Sequence, residues 1–255
     1  MVYIFIFIFG TVIGSFLNVV LMRYGTGESV VFSGSRCFSC GKRLSWTELI
    51  PIFSFLIQKG RCRNCKSKIS WQYPIVEIIT GILFLLIFNF QFLIFKQINL
   101  SFFLSTSYFL TIASLLIVIS VYDIRHQIIP NKLVYLFDFL SFSYWFLMDR
   151  SVAGFLAGGF FFAFFFLLWF ASRGRWMGLG DAKIALGCGW LLGLVKGVIG
   201  LLIAFWSGAL IGIFLLLFLP KTFKLKSRIP FGPFLAWGAI IALLFGSNIL
   251  QIYLK

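Results

Sequence analysis

The chain has 255 residues, 61% hydrophobic and 20% aromatic against only 11% charged, with a mean hydropathy of +1.03. A water-soluble domain carries about twice that share of charge, so the composition excludes one and points to a membrane-embedded protein. The formal charge of +15 comes from basic residues scattered over several loops. Nucleic acid is a poor partner for such a pattern, because it calls for one basic stripe with aromatics set into it.

The apolarity is continuous, not alternating, so the spans are helices and not the strands of a barrel. Each needs roughly 20 apolar residues to cross the hydrocarbon core. The first run starts at Val2 with no Lys or Arg ahead of it and continues to Met22 without a small-residue cleavage site. That is the pattern of a retained helix, not of a signal peptide. After a polar loop at 25–72, further runs fall at about 74–95, 101–122, 133–148, 152–171, 183–195, 198–219 and 231–253, the fourth and sixth spans being short. The stretch 184–219, with Lys196 and several glycines inside, also fits one long broken helix; two helices joined by a tight turn is the preferred reading. The expected fold is all-α and polytopic, with about eight transmembrane helices. Residues 1–255 form a single membrane-embedded domain, with 25–72 as an insert.

Lys and Arg accumulate in short cytoplasmic loops. The loop after the first span carries nine of them. The other loops on that side carry Arg125 and Lys132, then Arg173, Arg175 and Lys183, then Lys221, Lys224, Lys226 and Arg228. The opposite side holds Lys96, Arg150, Lys196 and Lys255, so the tally is eighteen against four. Both termini are therefore expected to face outward, and the net charge is mostly topology with some attraction to anionic lipid. This orientation puts Asp123, ending the third span, and Asp181, opening the sixth, on the cytoplasmic edge, where the two can face each other.

The 25–72 loop contains "CFSC" and "CRNC", giving Cys37-x2-Cys40-x21-Cys62-x2-Cys65. This is zinc-ribbon spacing, one residue beyond the usual upper limit. Each Cys-x2-Cys turn aims two thiolates at one ion, and two turns complete a closed tetrahedral site. A cytoplasmic loop keeps its thiols reduced, which favours metal over disulfides. A loop of this size has little apolar core to fold around without one. With all four positions filled by sulfur, the metal is structural and not the catalyst. Cys188, in an apolar span, reads as a packing residue.

Seven acidic residues remain to be explained. Glu28, Glu48 and Asp149 lie in loops or at span ends and need only solvation. Glu77 follows "QYP" at the entry of the second span, and Asp138 lies within the fourth. An ionisable group inside a span is a functional hypothesis by default, which gives Asp138 some weight, below that of Asp123 and Asp181. Asp123 sits in "YDIRHQIIPN", where Pro130 interrupts the helix. Asp181 sits in "GLGD", where Gly178 and Gly180 permit a tight turn and close approach of another chain. Two carboxylates within reach of each other cannot both ionise easily, so one holds a proton while the other accepts one, activating water and protonating a leaving amine.

The competing reading is that each Asp caps a helix. It fits Asp181, at a helix start, and fits Asp123 badly, because Asp123 ends its helix where the dipole opposes a negative charge. A histidine-activated nucleophile would have to use His126, the single histidine. No HExxH and no phosphate-binding loop occurs. A transporter coupling protons or cations through Asp123, Asp138 and Asp181 is the rival from another class, although no internal repeat marks two halves.

These residues resemble the type IV prepilin peptidases, GxGD aspartyl proteases of bacterial membranes. The resemblance covers nearly the whole chain: "GSFLNVVLMR" from Gly14, "CFSC" with "CRNC", "WQYPIVEIITG" from Trp71, "DIRHQIIPN" from Asp123, "GLGDAK" from Gly178, and "IPFGPFLAWG" from Ile229. It implies cleavage of prepilin or pseudopilin precursors at the cytoplasmic face of the inner membrane, after a glycine that ends a short basic leader. Asp123 and Asp181 match the family's catalytic aspartates. The cysteine loop further implies methylation of the new amino terminus with S-adenosylmethionine. No dinucleotide-type glycine motif marks a donor pocket, and no residue is assigned to it.

Overall fold

The computed structural model describes residues 1–218 and 229–253. Lys221, Lys224, Lys226, Arg228 and Lys255, part of the basic tally above, lie outside the described residues. Among the described residues the α-helices are α1 Val2–Arg23, the short α2 Phe53–Ile57, α3 Gln72–Phe95, α4 Leu100–His126, α5 Asn131–Tyr144, α6 Val152–Ser172, α7 Leu179–Phe218 and α8 Gly232–Tyr253. Two isolated β-bridges, Arg36 with Arg43 and Arg61 with Lys68, are the extended pairings among the described residues. The chain divides into two compact units, Met1–Ser114 and Leu115–Lys255, with the boundary inside α4.

Among the described residues, six helices are long and apolar enough to cross a membrane: α1, α3, α4, α6, α7 and α8. Length accounts for the difference from the eight expected spans: α5 is a short span, and α7 contains two. At 1.5 Å per residue the 14 residues of α5 reach about 21 Å, less than the roughly 30 Å hydrocarbon core. The expected sixth and seventh spans are two helices that meet at Gly193, φ 70° and ψ −176°, within the run Leu179–Phe218, the tight-turn reading preferred from the sequence. Unbroken, that run would measure about 60 Å, twice the core thickness. A single glycine, open to a backbone other residues resist, makes the break in place of a separate loop.

In the first unit α1 and α3 pack through small residues. A Cβ on Gly10 would stand 2.8 Å from Gly81 Cα, and one on Gly14 2.8 Å from Glu77 Cα, so the backbones meet directly. Asn18 then ties the two helices: its Nδ2 donates to Tyr73 O at 3.2 Å, and its Oδ1 accepts from Gln72 Nε2 at 3.2 Å. The "GSFLN" run thus has a packing role. Glu77 is buried and accepts the Ile52 N–H at 2.7 Å. Ile52 holds φ 61° and ψ −55°, closed by Phe53 N donating to Pro51 O at 2.6 Å. A β-branched residue in that region costs on the order of 1–3 kcal/mol, and the Glu77 carboxylate helps pin it.

The second unit is built around α7, which packs on α5, α6 and α8. Glycine again sets the spacing: a Cβ on Gly189 would lie 2.6 Å from Gly158 Cα on α6, and one on Gly200 3.1 Å from Gly238 O on α8. Phe161, Phe165, Ile184 and Ala204 are fully buried in this core. Asp138 and Cys188 are both buried here. Asp138 faces Gly187 of α7, where an added Cβ would meet its Oδ1 at 2.5 Å.

Candidate active site

α4 ends at His126, so Asp123 occupies its last turn. Gln127, with φ 53°, closes the helix by donating its N–H to Asp123 O at 2.7 Å. Pro130, fixed at φ −73°, then caps α5. Asp123 is buried, and its Oδ2 accepts the Gly232 N–H at 3.1 Å, from the first residue of α8. The misfit of an acid at a helix C-terminus is thereby resolved: the anion meets the positive end of a different helix.

Asp181 is the third residue of α7 and is also buried. Its Oδ2 accepts the Gly178 N–H at 3.1 Å, the reach-back of an acidic residue to the start of its own helix. The cap reading therefore describes one oxygen. The other, Oδ1, is buried with no protein donor within hydrogen-bonding reach, as is Asp138 Oδ1. The Asp123 carboxylate lies close enough to act electrostatically on Asp181. Each acid thus has one oxygen held by a main-chain N–H at a helix start, and the two charges feel each other.

The two glycines of the "GLGD" turn have different parts. Neither uses a positive φ. A Cβ on Gly178 would meet Asp181 Oδ2 at an ordinary 3.5 Å, whereas one on Gly180 would stand 2.7 Å from Ile129 Cβ. Close approach is needed at Gly180. Gly180→Ala is expected to lower stability by about 1–3 kcal/mol and to slow any reaction at Asp181, while Gly178→Ala stays near the parent. Thermal unfolding and turnover of the two variants, run side by side, check this contrast. Lys183 adds a second tether, its Nζ donating to Asn131 Oδ1 at 2.8 Å and to Tyr135 Oη at 3.1 Å.

The four loop cysteines converge in the first unit, with all four sulfurs within 4.8 Å of one another. The two motifs fold alike. Cys37 N donates to Lys42 O and Cys62 N to Ser67 O, both at 2.9 Å, and the residue after each second cysteine, Gly41 or Lys66, has a positive φ. Cys37 Sγ and Cys65 Sγ stand 3.8 Å apart, the edge of a sulfur tetrahedron with metal–sulfur bonds of about 2.3 Å. The cluster can hold a metal ion. Beside it, Glu48 is buried rather than merely solvated, accepting Ser45 N–H at 3.0 Å and Ser45 Oγ at 2.9 Å. The Ser45 N–H chiefly, with its hydroxyl, holds the Glu48 carboxyl below its usual value.

Sequence reasoning reached Asp123, Asp181 and the four cysteines and missed Gly232, Ile129 and Glu48. The last had a local signal, the Ser45-x-x-Glu48 capping box.

Two family models match the chain: the bacterial peptidase A24 N-terminal domain over residues 8–91 and the type IV leader peptidase family over 110–213, a stretch that includes Asp123 and Asp181. The prepilin leader peptidase/N-methyltransferase of Bacillus subtilis (strain 168) is 34% identical over 98% of this chain and 97% of its own length. That of Aeromonas salmonicida (strain A449) is 30% identical over 98% and 93%. That of Myxococcus xanthus (strain DK1622) is 39% identical over 50% of this chain and 35% of its own. No solved structure matches. Identity at this level along nearly the full length, together with the family match spanning both aspartates, means that the chain belongs to the type IV leader peptidase family.

Proposed function

We propose that the chain removes the short basic leader from type IV prepilin or pseudopilin precursors, cutting after a glycine, with Asp123 and Asp181 as the catalytic residues. The observation that carries this reading is the buried, electrostatically coupled carboxylate pair, each acid held by a main-chain N–H, inside the stretch matched to the leader peptidase family. The precursor's apolar helix lies in the bilayer while its basic leader stays at the cytoplasmic surface, bringing the scissile bond to the membrane boundary. One carboxylate takes a proton from water as the water oxygen attacks the scissile carbonyl; the other donates to the carbonyl oxygen or the leaving nitrogen, and the roles reverse for the next turnover. The unpartnered Asp181 Oδ1 is an oxygen available for that exchange. A proton- or cation-coupled transporter finds no support in the family matches.

The Lys and Arg distribution supports a multi-pass inner-membrane topology with both termini outward and the aspartates and cysteine loop at the cytoplasmic face. Residues 1–255 act as one peptidase domain, and 25–72 is an insert whose Cys37, Cys40, Cys62 and Cys65 hold zinc. The ion would close the loop and do no chemistry, since four sulfurs leave no position for water.

The relatives' names include an N-methyltransferase. By that likeness, the amino terminus exposed by cleavage is methylated, S-adenosylmethionine supplying the electrophilic methyl. The internal cavity lined by Phe161, Ala185, Cys188, Leu192 and Leu235 does not fit the donor, having no charged side chain for its carboxylate, amine or sulfonium. No step is assigned there.

The test is the intact mass of a prepilin precursor incubated with S-adenosylmethionine in membranes that contain the chain or lack it. Loss of the leader with one added methyl, only where the chain is present, is the expected result. A precursor processed identically in both membranes would overturn the proposal.

A further inference from the structure

We infer that the main-chain N–H of Gly232 positions Asp123 for catalysis, and that the "FGPF" turn opening α8 is built to present that single donor. The inference rests on the catalytic reading of Asp123.

A helix start leaves several N–H groups without intrahelical partners, and they have to go somewhere. In α8 they are accounted for one by one. Pro233 has no N–H. Phe234 N and Leu235 N donate to Phe231 O at 3.0 and 3.1 Å. Gly232 N donates across 109 positions of sequence to Asp123 Oδ2 at 3.1 Å, in a buried setting. Proline removes one donor, the turn consumes two, and the one aimed out of the turn meets the carboxylate.

The absence of a side chain at 232 is a requirement of this contact. A Cβ there would stand 2.6 Å from Asp123 Oδ2 and 3.4 Å from its Cγ, so any other residue pushes the carboxylate off the donor. Gly232 has no positive φ, so backbone freedom is not what selects glycine. The turn itself is anchored. The Phe231 ring packs 5.1 Å from Phe205 of α7 and 6.1 Å from the fully buried Phe165 of α6. A donor on a turn wedged into the helical core has little room to move. A carboxylate with one oxygen tied to it cannot rotate freely, so the second oxygen is held in one orientation, which is what a proton-transfer group needs.

The experiment uses full-length enzyme purified in detergent, a prepilin precursor as substrate, and three variants. Gly232→Ala displaces Asp123 by its Cβ. Replacing Gly232 by glycolic acid turns the Phe231–Gly232 amide into an ester and removes the N–H without adding an atom. Asp123→Asn reports on the catalytic reading itself. For the first two, kcat is expected to fall roughly 10- to 100-fold, the worth of a charge-assisted hydrogen bond, with KM within about twofold of the parent. The unfolding midpoint should fall by no more than the loss of one hydrogen bond, so kcat per folded molecule is the deciding readout. A merely structural contact would lower the midpoint and leave kcat per folded molecule unchanged, which overturns the inference. If Gly232→Ala does not fold, the ester decides: parental turnover by the ester overturns it, and the same loss of kcat sustains it. Inactive Asp123→Asn beside fully active Gly232 variants defeats this inference alone. Fully active Asp123→Asn defeats the catalytic reading and this inference together.

Discussion

Asp123→Asn and Asp181→Asn are each expected to abolish leader cleavage while the protein still inserts and folds. Asparagine keeps the shape of aspartate and a side-chain oxygen that can accept the N–H of Gly232 or Gly178, so the contacts that hold each group survive the change. What is lost is the ability to take or give a proton at that position. A positioned acid or base contributes typically 10²- to 10⁴-fold, and the two groups work as one unit, so the double variant should be no slower than either single one. Initial rates of precursor cleavage, normalised to folded protein, measure this. Asp181→Ala provides the contrast within the same assay: it leaves Gly178 N–H unpaired and should cost about 1 kcal/mol of stability besides activity. Cleavage that survives Asp181→Asn would reduce that residue to a helix cap, the role its Oδ2 already plays.

Loss of the metal is expected to have the second largest effect. Purified protein should carry one zinc per chain, and Cys62→Ser, which removes the buried member of the cluster, should carry almost none. With the ion gone, the loop's own hydrogen bonds and its short helix α2 are what remain to hold it. Limited proteolysis should then cut near 36–43 and 61–68, the two bridged turns, while the membrane helices stay intact. The pH dependence has a definite sign. A thiolate binds the metal and a proton competes for it. Cys37 is pulled down to about 6, chiefly by the Cys40 N–H, and the Ser67 hydroxyl lowers Cys65. Cys40 moves the other way, so no single thiol sets the release point; zinc should pass to a chelator increasingly as the medium is acidified below about pH 7. Zinc content of the parent and of Cys62→Ser after dialysis across this range is the measurement. Equal content in the two would remove the cysteines from the metal site.

Much of the architecture was open to reading along the chain because it depends on local properties. Continuous apolarity marks membrane helices whatever their neighbours, which is why the runs near 2–22, 74–95 and 152–171 coincide with α1, α3 and α6. Two Cys-x2-Cys turns announce a four-sulfur cluster because each turn brings its own pair together. The aspartates stood out for a similar reason: an acid at the edge of an apolar span is costly wherever it occurs.

Pairings between distant residues carry no such mark. Gly193 was one of several glycines in 184–219, and the chain alone does not mark which of them takes the positive φ that makes the break. Glu77 drew notice as a membrane carboxylate, but its contact with the strained Ile52 depends on where the loop returns. Asp123 is the sharpest case. Along the sequence it is an anion at the wrong end of its own helix. The compensation arrives from Gly232, 109 positions along the chain, because helix dipoles and hydrogen bonds act through space once the helices have packed. Residue type and spacing, which a chain displays in order, specified the membrane helices, the thiol cluster and the two acids. Which oxygen meets which N–H was set by packing.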